Sequence, residues 1–391
     1  MIVKLVRLAV VVMVTTVANA QQVNMQKVFK DVATQTQLML QNIPAARDSN
    51  TELVTPRTFE DGKLKLVSSR DWTSGFFAGQ LWFLYQYTKD NYWKIKADSF
   101  TTLLEREKYN AGTHDMGFKI YCSYGKGYQL TKNEAYKNVI IQSAQTLTKR
   151  FNKTVGSIRS WDHGKAEWQY PVIIDNMMNL ELLFAATRLT GDSSYYKIAV
   201  THANTTLKNH FRKDYSTYHV VDYDTATGQV RGKVTAQGYA DASAWARGQA
   251  WGLYGYTMCY RETKDKRYLD QADSIASFIM KQPNLPVDGV PYWDYNDPAI
   301  PNTSRDASAA AIAASALYEL SSYSTNKKIY IAFADKLLES LTDHYRSAIG
   351  DNKGFILMHS TGHRPAKSEI DVPINYADYY YLEALLRSRK K

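Results

Sequence analysis

Thr190-Gly191-Asp192-Ser193-Ser194-Tyr195-Tyr196-Lys197-Ile198-Ala199 is the stretch on which the fold turns. An aspartate follows the threonine by two residues, an aromatic by five and an alanine by nine. Tyr195 and Ala199 stand at i, i+4 and so share one helical face, while the polar turn ahead of them carries capping residues. The stretch reads as helix, tight turn, helix. The same spacing returns with Trp93 after Thr88, Tyr136 after Thr131, Tyr268 after Thr263 and Tyr330 after Thr325. Asp90, Asn133 and Asp265 take the capping place, which Lys327 holds in the last copy. Ala97, Ala272 and Ala334 follow their aromatics, with Ile140 the exception.

Successive threonines are 43, 59, 73 and 62 residues apart. Such uneven periods predict paired helices with variable insertions rather than a regular solenoid. A second series interleaves with the first. Asp71, Asp115, Asp175, Asp241, Asp306 and Asn375 each precede an apolar run rich in small residues, such as Gly75/Gly79, Gly248/Gly252 and Ala309-Ala310-Ala311. Small residues let helices approach closely, as the inner ring of a closed barrel requires. Six inner starts, five outer helices and one more over residues 23–41 make twelve, and six hairpins closed into a ring make an all-α (α/α)6 toroid. An open solenoid would have no reason to begin each inner helix with a polar cluster. In a ring, those starts share one end, where helix dipoles and side chains converge on a single cleft. Strand is expected to be minor, its best candidate a hairpin over 218–234 turning at Thr227-Gly228.

The first twenty residues read as an address. Lys4 and Arg7 precede an apolar run over 8–17 that is too short to span a bilayer, and Ala18-Asn19-Ala20 supplies a small-x-small cleavage pattern. The expectation is a signal peptide over 1–20 cleaved after Ala20, one barrel domain over 21–391, no membrane span, and a periplasmic or secreted location. The formal charge is +10, or +8 without Lys4 and Arg7. A basic exported protein suits an acidic polysaccharide, whereas the absence of a clustered Lys/Arg run argues against nucleic acid or a lipid patch. Two cysteines, Cys122 and Cys259, make no disulfide framework, and a single bridge between them stays open. His359 and His363 are four apart, but Gly362 and Pro365 disfavour a helix there, so no metal site is expected.

Asp115 and Asp175 lie in strongly apolar runs. A carboxylate there can have its pKa raised by desolvation and act as a general acid while its partner stays ionised. Taken singly, each Asp of the series is more simply a helix N-cap. The surroundings favour chemistry: Trp72, Trp161, Trp168, Trp245, Trp251 and Trp293 fall at helix starts and loops, and aromatic faces pack against the C–H faces of sugars. Some of these must simply pack the core. Arg247 and Trp251 share a helical face and could set a carboxylate-gripping cation beside an aromatic wall. The plainer alternative for Arg247 is an ion pair with a cap such as Asp241.

Several motifs now stand in a recognisable order. They are Ser69-Arg70-Asp71-Trp72-Thr73-Ser74-Gly75-Phe76-Phe77, His114-Asp115-Met116-Gly117-Phe118 and Asp175-Asn176-Met177-Met178-Asn179. Gln237-Gly238-Tyr239-Ala240-Asp241 follows, then Trp245-Ala246-Arg247-Gly248-Gln249-Ala250-Trp251 and Asp371-Val372-Pro373-Ile374-Asn375-Tyr376-Ala377-Asp378-Tyr379. Together they resemble the unsaturated glucuronyl hydrolases, glycoside hydrolase family 88, over nearly the whole mature chain. The resemblance implies an (α/α)6 barrel needing no metal or organic cofactor. It implies release of a 4,5-unsaturated uronic acid from the non-reducing end of lyase-generated oligosaccharides, by hydration of the C4=C5 enol ether. By resemblance, Asp175 is the general acid/base and Asp115 the second essential carboxylate. His114, His219, Gln237 and Arg247 would line the uronate subsite, with Trp72, Trp161 and Trp251 as its walls. The segment holding Ser360, His363 and Arg364 lies where relatives contact the next sugar and its sulfate; a basic loop with no such role is the alternative. A Ser-x-x-Ser-x-Lys arrangement associated with some sulfate-accepting relatives is missing here, so that specificity is not carried over. Glycosaminoglycan-type substrates are expected first. Rivals are an unsaturated rhamnogalacturonyl or other plant or algal uronyl hydrolase on the same fold, a non-catalytic glycan-binding toroid, and a protein-interaction solenoid.

Overall fold

In a computed structural model that describes residues 23–389, the repeat is built from its own side chains. Thr88, Thr131, Thr190 and Thr263 each end a helix, their hydroxyls donating to the carbonyl four residues back at 2.7, 2.7, 2.7 and 2.8 Å. The same oxygens accept the N–H two residues on. Lys89, Lys132, Gly191 and Lys264 then take the left-handed conformation that stops a helix. Asp90, Asn133, Asp192 and Asp265 cap the next one, each accepting the N–H two residues ahead. In the fifth copy Ser324 holds the turn, and that helix starts without a side-chain cap. The repeat aromatics are buried, and three reach back to the previous outer helix: Tyr136 to Asp98, Tyr268 to Asn204 at 3.0 Å, and Tyr330 to Asp273 at 2.8 Å.

The described chain alternates outer and inner helices. The outer ones are α1 (Met25–Arg47), α3 (Asn91–Thr102), α5 (Glu134–Thr148), α7 (Ser193–Asn209), α9 (Lys266–Met280) and α11 (Lys327–His344). The inner ones are α2 (Ser74–Thr88), α4 (Lys126–Thr131), α6 (Leu180–Thr190), α8 (Ala246–Thr263), α10 (Ala307–Leu320) and α12 (Asn375–Ser388). A π-helical segment, Gly117–Gly125, leads into α4, and a 3₁₀ turn, Ile174–Asn179, leads into α6. Of the inner helices, α2, α8, α10 and α12 are buried nearly all round. They pack in sequence and the ring closes where α12 meets α2, giving the expected (α/α)6 toroid. The small residues act as anticipated: a Cβ on Gly75 would lie 2.2 Å from the Phe118 carbonyl oxygen, and one on Gly79 2.4 Å from that of Cys122. Cys122 and Cys259 are separate, buried thiols. Among the described residues no helix is long and apolar enough to cross a membrane; the signal-peptide expectation falls outside them.

Two readings need correction. Of the six polar residues expected to open inner helices, only Asp306 caps its helix by side chain, accepting the Ser308 N–H at 3.1 Å. Asp115 and Asp241 precede the first helical residue, Asp71 forms its bond to Thr73 N–H outside the helix, and Asp175 sits inside the 3₁₀ turn. Strand is also more widespread than one hairpin. The expected hairpin forms as β6 (Val220–Tyr223) and β7 (Val230–Val234), but β5 (Pro171–Ile173) joins it. Further hairpins are β1 (Leu53–Glu60) with β2 (Lys63–Ser68), β3 (Phe151–Asn152) with β4 (Ser157–Ile158), and β8 (Ser360–His363) with β9 (Ser368–Val372).

Candidate active site

Strand β5 carries the chain directly into the 3₁₀ turn, so Asp175 arrives at the barrel end beside the residue opposite it in the sheet. The Ile174 N–H donates to the His219 carbonyl at 3.1 Å, and His219 Nε2 lies 3.7 Å from Asp175 Oδ2. Burial raises the Asp175 carboxyl to about 7; Arg247 opposes that rise and Asp115 adds to it. A proton is therefore available at neutral pH. His219 has the reverse character. Its Nδ1 accepts the N–H groups of Ala236 and Gln237 at 3.0 and 3.1 Å, which leaves the ring proton on Nε2, facing the carboxyl. Burial, with His363 and Arg247 adding to it, takes its pKa down to about 3, so the ring is neutral.

Asp115 is held differently. Its Oδ2 accepts the Thr113 hydroxyl at 2.7 Å, and its Oδ1 is 3.2 Å from Nε2 of the buried His114. Burial lowers the pKa of His114, with Asp115 opposing. Two carboxyls thus share the barrel end, one in apolar surroundings and one among donors.

Beside them opens a cavity of about 530 Å³, within the usual range for a small-ligand site. Of the expected residues, Trp72, Trp161, His219, Gln237 and His363 line it. Trp161 stacks on His163 at 5.2 Å and meets Trp168 edge-on at 6.0 Å, forming an aromatic wall. Three of the lining residues carry a buried polar atom without a hydrogen-bond partner: Trp161 Nε1, His219 Nε2 and Tyr376 Oη.

The profile of Glycosyl Hydrolase Family 88 matches residues 50–386. The chain belongs to glycoside hydrolase family 88. An unsaturated glucuronyl hydrolase of Formosa agariphila is 57% identical over 325 residues, covering 83% of this chain and 81% of that protein. An unsaturated chondroitin disaccharide hydrolase of Streptococcus pneumoniae is 35% identical over 86% of each chain. A crystal structure described as an unsaturated glucuronyl hydrolase specific for heparin superposes with a TM-score of 0.88 at 46% identity, covering 93% of this chain and 97% of that one.

Seven of the twelve expected residues of this family 88 enzyme are off the cavity lining: Asp115, Asp175 and the buried His114, which sit beside it, and four that stand elsewhere than expected. Arg247 is 1% exposed and is absent from the cavity lining; its partner is the equally buried Asp306 at 2.8 Å, where Asp241 had been the alternative. Its Nη1 and Nη2 also donate to the carbonyls of Thr361 and Gly362, both at 2.5 Å. The guanidinium thus fixes β8 instead of offering a free fork. Trp251 is wholly buried, packed at 5.1 Å against Phe118, and its indole acts on the Asp175 carboxyl rather than lining the cavity. Ser360 is likewise buried behind the lining. Arg364 points away, over Trp293 and onto Ser304 at 3.3 Å.

Among the lining residues that the sequence does not single out, three are built by long-range packing. Arg57, on β1, bonds Asp71 at 2.7 Å and Glu369 at 2.5 and 2.8 Å. Its place depends on β1, which lies outside the expected hairpin. Glu369, on β9, takes a positive φ of 55° that puts its carboxylate against Gly362. Tyr376 lies in the Asn375-Tyr376 motif, but only the fold brings it to the cavity, with its hydroxyl buried and without a partner.

Proposed function

We propose that this family 88 glycoside hydrolase removes 4,5-unsaturated uronic acid from the non-reducing end of lyase-generated, glycosaminoglycan-type oligosaccharides. The observation that carries the reading is the pair of unlike carboxyls, with Asp175 still holding a proton near neutrality and 3.7 Å from His219 on the lining of an aromatic-walled cavity. Protonation of an enol ether needs an acid of raised pKa, and the cation that develops across C5 and the ring oxygen is favoured by a nearby carboxylate. In this mechanism Asp175 gives its proton to C4 and then takes one from the water that adds at C5. Asp115 supplies the negative charge. The C5 hemiketal opens, and the resulting C1 hemiacetal expels the rest of the chain. Because C5 is planar in the substrate, carboxyl spacing does not predict a retaining or inverting outcome. The substrate class rests on the heparin- and chondroitin-named relatives and on the basic net charge, +10 in all and +8 without Lys4 and Arg7. Action in the periplasm or outside the cell, after removal of residues 1–20, belongs to the same reading and rests on the apolar run and Ala18-Asn19-Ala20.

Methanol competing with water tests the chemistry. Hydration places the methoxyl at C5, and a product bearing it at C1 would mean ordinary displacement and refute the proposed route.

A further inference from the structure

We propose that Tyr376 is a further specificity residue, its hydroxyl donating a hydrogen bond to the carboxylate of the terminal uronate. The inference rests on the reading above and goes on to ask how an acidic sugar is recognised when the obvious cation is engaged. Arg247 has both terminal nitrogens bound to Asp306 and to the Thr361 and Gly362 carbonyls. Arg57, the arginine on the cavity lining, has all three nitrogens on Asp71 and Glu369. Both guanidiniums are turned to acceptors of the protein, and re-aiming either at a ligand would separate an ion pair, fully buried for Arg247–Asp306 and partly buried for Arg57–Asp71, which is unfavourable. What remains on the lining is a set of neutral donors.

Tyr376 is the best placed of these. It is wholly buried, it lines the cavity, and its hydroxyl has no partner in the protein. A buried hydroxyl left unpaired is costly, so the fold gains nothing from this one unless a ligand pairs it. The phenol ring is fixed, with its centroid 5.0 Å from that of Trp72 and 5.9 Å from that of Phe76. The Arg247 guanidinium carbon is 5.3 Å from the Tyr376 ring centroid, so an anion at the hydroxyl sits in the field of a cation it need not touch. Burial, the largest influence, also keeps the phenol protonated and hence a donor. His219 Nε2–H supplies a second neutral donor on the same lining.

The test is Tyr376→Phe, which removes only the hydroxyl. Because that oxygen bonds nothing in the protein, the melting temperature is expected to hold within about 1 °C. A neutral donor to a charged acceptor predicts a loss of kcat/KM on an unsaturated glucuronyl disaccharide of about tenfold to a hundredfold, carried by KM. In an Asp175→Asn background, calorimetry should show the same loss of affinity for the disaccharide. Affinity for its uronate methyl ester, measured by displacement, should fall far less, because the ester offers the hydroxyl a neutral acceptor in place of a charged one. Binding of the acid within twofold of the parent would overturn the proposal, as would an equal loss for acid and ester. A wild-type enzyme inert on the disaccharide would refute the functional reading itself, whereas an active wild type with an unimpaired Tyr376→Phe would refute only this inference.

Discussion

Asp175→Asn should abolish activity and yet stabilise the protein, increasingly so as pH rises. The carboxyl moves from an ordinary 3.8 in the unfolded chain to about 7 in the folded one, with burial the chief cause. The folded state therefore holds the proton more tightly, and stability present below the unfolded value is lost as pH climbs through the folded one. At 1.36 kcal/mol per tenfold, the full cost is about 4 kcal/mol above pH 7 and less than half of that at pH 5. That balance already includes the attraction of Arg247. Asparagine has the shape of the protonated acid and no charge to bury. The substitution should thus gain about 3 kcal/mol more at pH 8.5 than at pH 5, or about 6 °C in melting temperature at roughly 2 °C per kcal/mol for a chain of this length. Asp378, also raised to about 7 by burial, titrates alike in both proteins and cancels. Thermal melts of both proteins at the two pH values measure the difference. A stability change that does not grow with pH would refute the assignment of Asp175 as a buried, desolvated acid.

Asp306→Asn leaves the Arg247 guanidinium buried without its counter-charge, and a loss of about 3–5 kcal/mol in denaturant melts is expected together with lost activity, since β8 is anchored through the same arginine. Nitrogen-15 NMR of histidine-labelled protein should find His219 as the neutral Nε2–H tautomer unchanged from pH 8 down to about 5; titration in that window would contradict the geometry. His363→Ala should raise KM severalfold while Arg364→Ala changes it less, because one side chain lines the cavity and the other packs over Trp293. Gly75→Ala forces a methyl onto the Phe118 carbonyl, and a loss of about 1–3 kcal/mol or more should appear in melts.

The toroid was legible because its determinants are local. A threonine that closes one helix and an Asp or Asn that caps the next lie within three residues of each other, and the aromatic and alanine of the outer face follow at fixed spacing. The β1–β2 hairpin was legible too, and was missed: Asp61-Gly62, both at positive φ, is a two-residue turn signal between its strands. The candidate site was readable only in part. Asp115, Asp175, Trp72, Trp161, His219, Gln237 and His363 carry motif or composition signals, and the structure gathers them at one barrel end. Partner choice depends on long-range packing. Arg247 meets Asp306, 59 residues away, and Arg57 meets Glu369, 312 residues away, and no spacing rule reaches that far. Trp251 looked like a wall because helix register placed it beside Arg247; being on an inner helix of a closed ring, both are buried.

The most direct test of the central claim is an absorbance assay that follows the conjugated C4=C5 bond in a panel of sulfated and unsulfated unsaturated disaccharides, with wild-type enzyme and Asp175→Asn. The account predicts loss of the chromophore with wild type alone, faster below about pH 7 than above it as Asp175 loses its proton. Persistence of the chromophore across the whole panel, or its loss at an equal rate with Asp175→Asn, would contradict it.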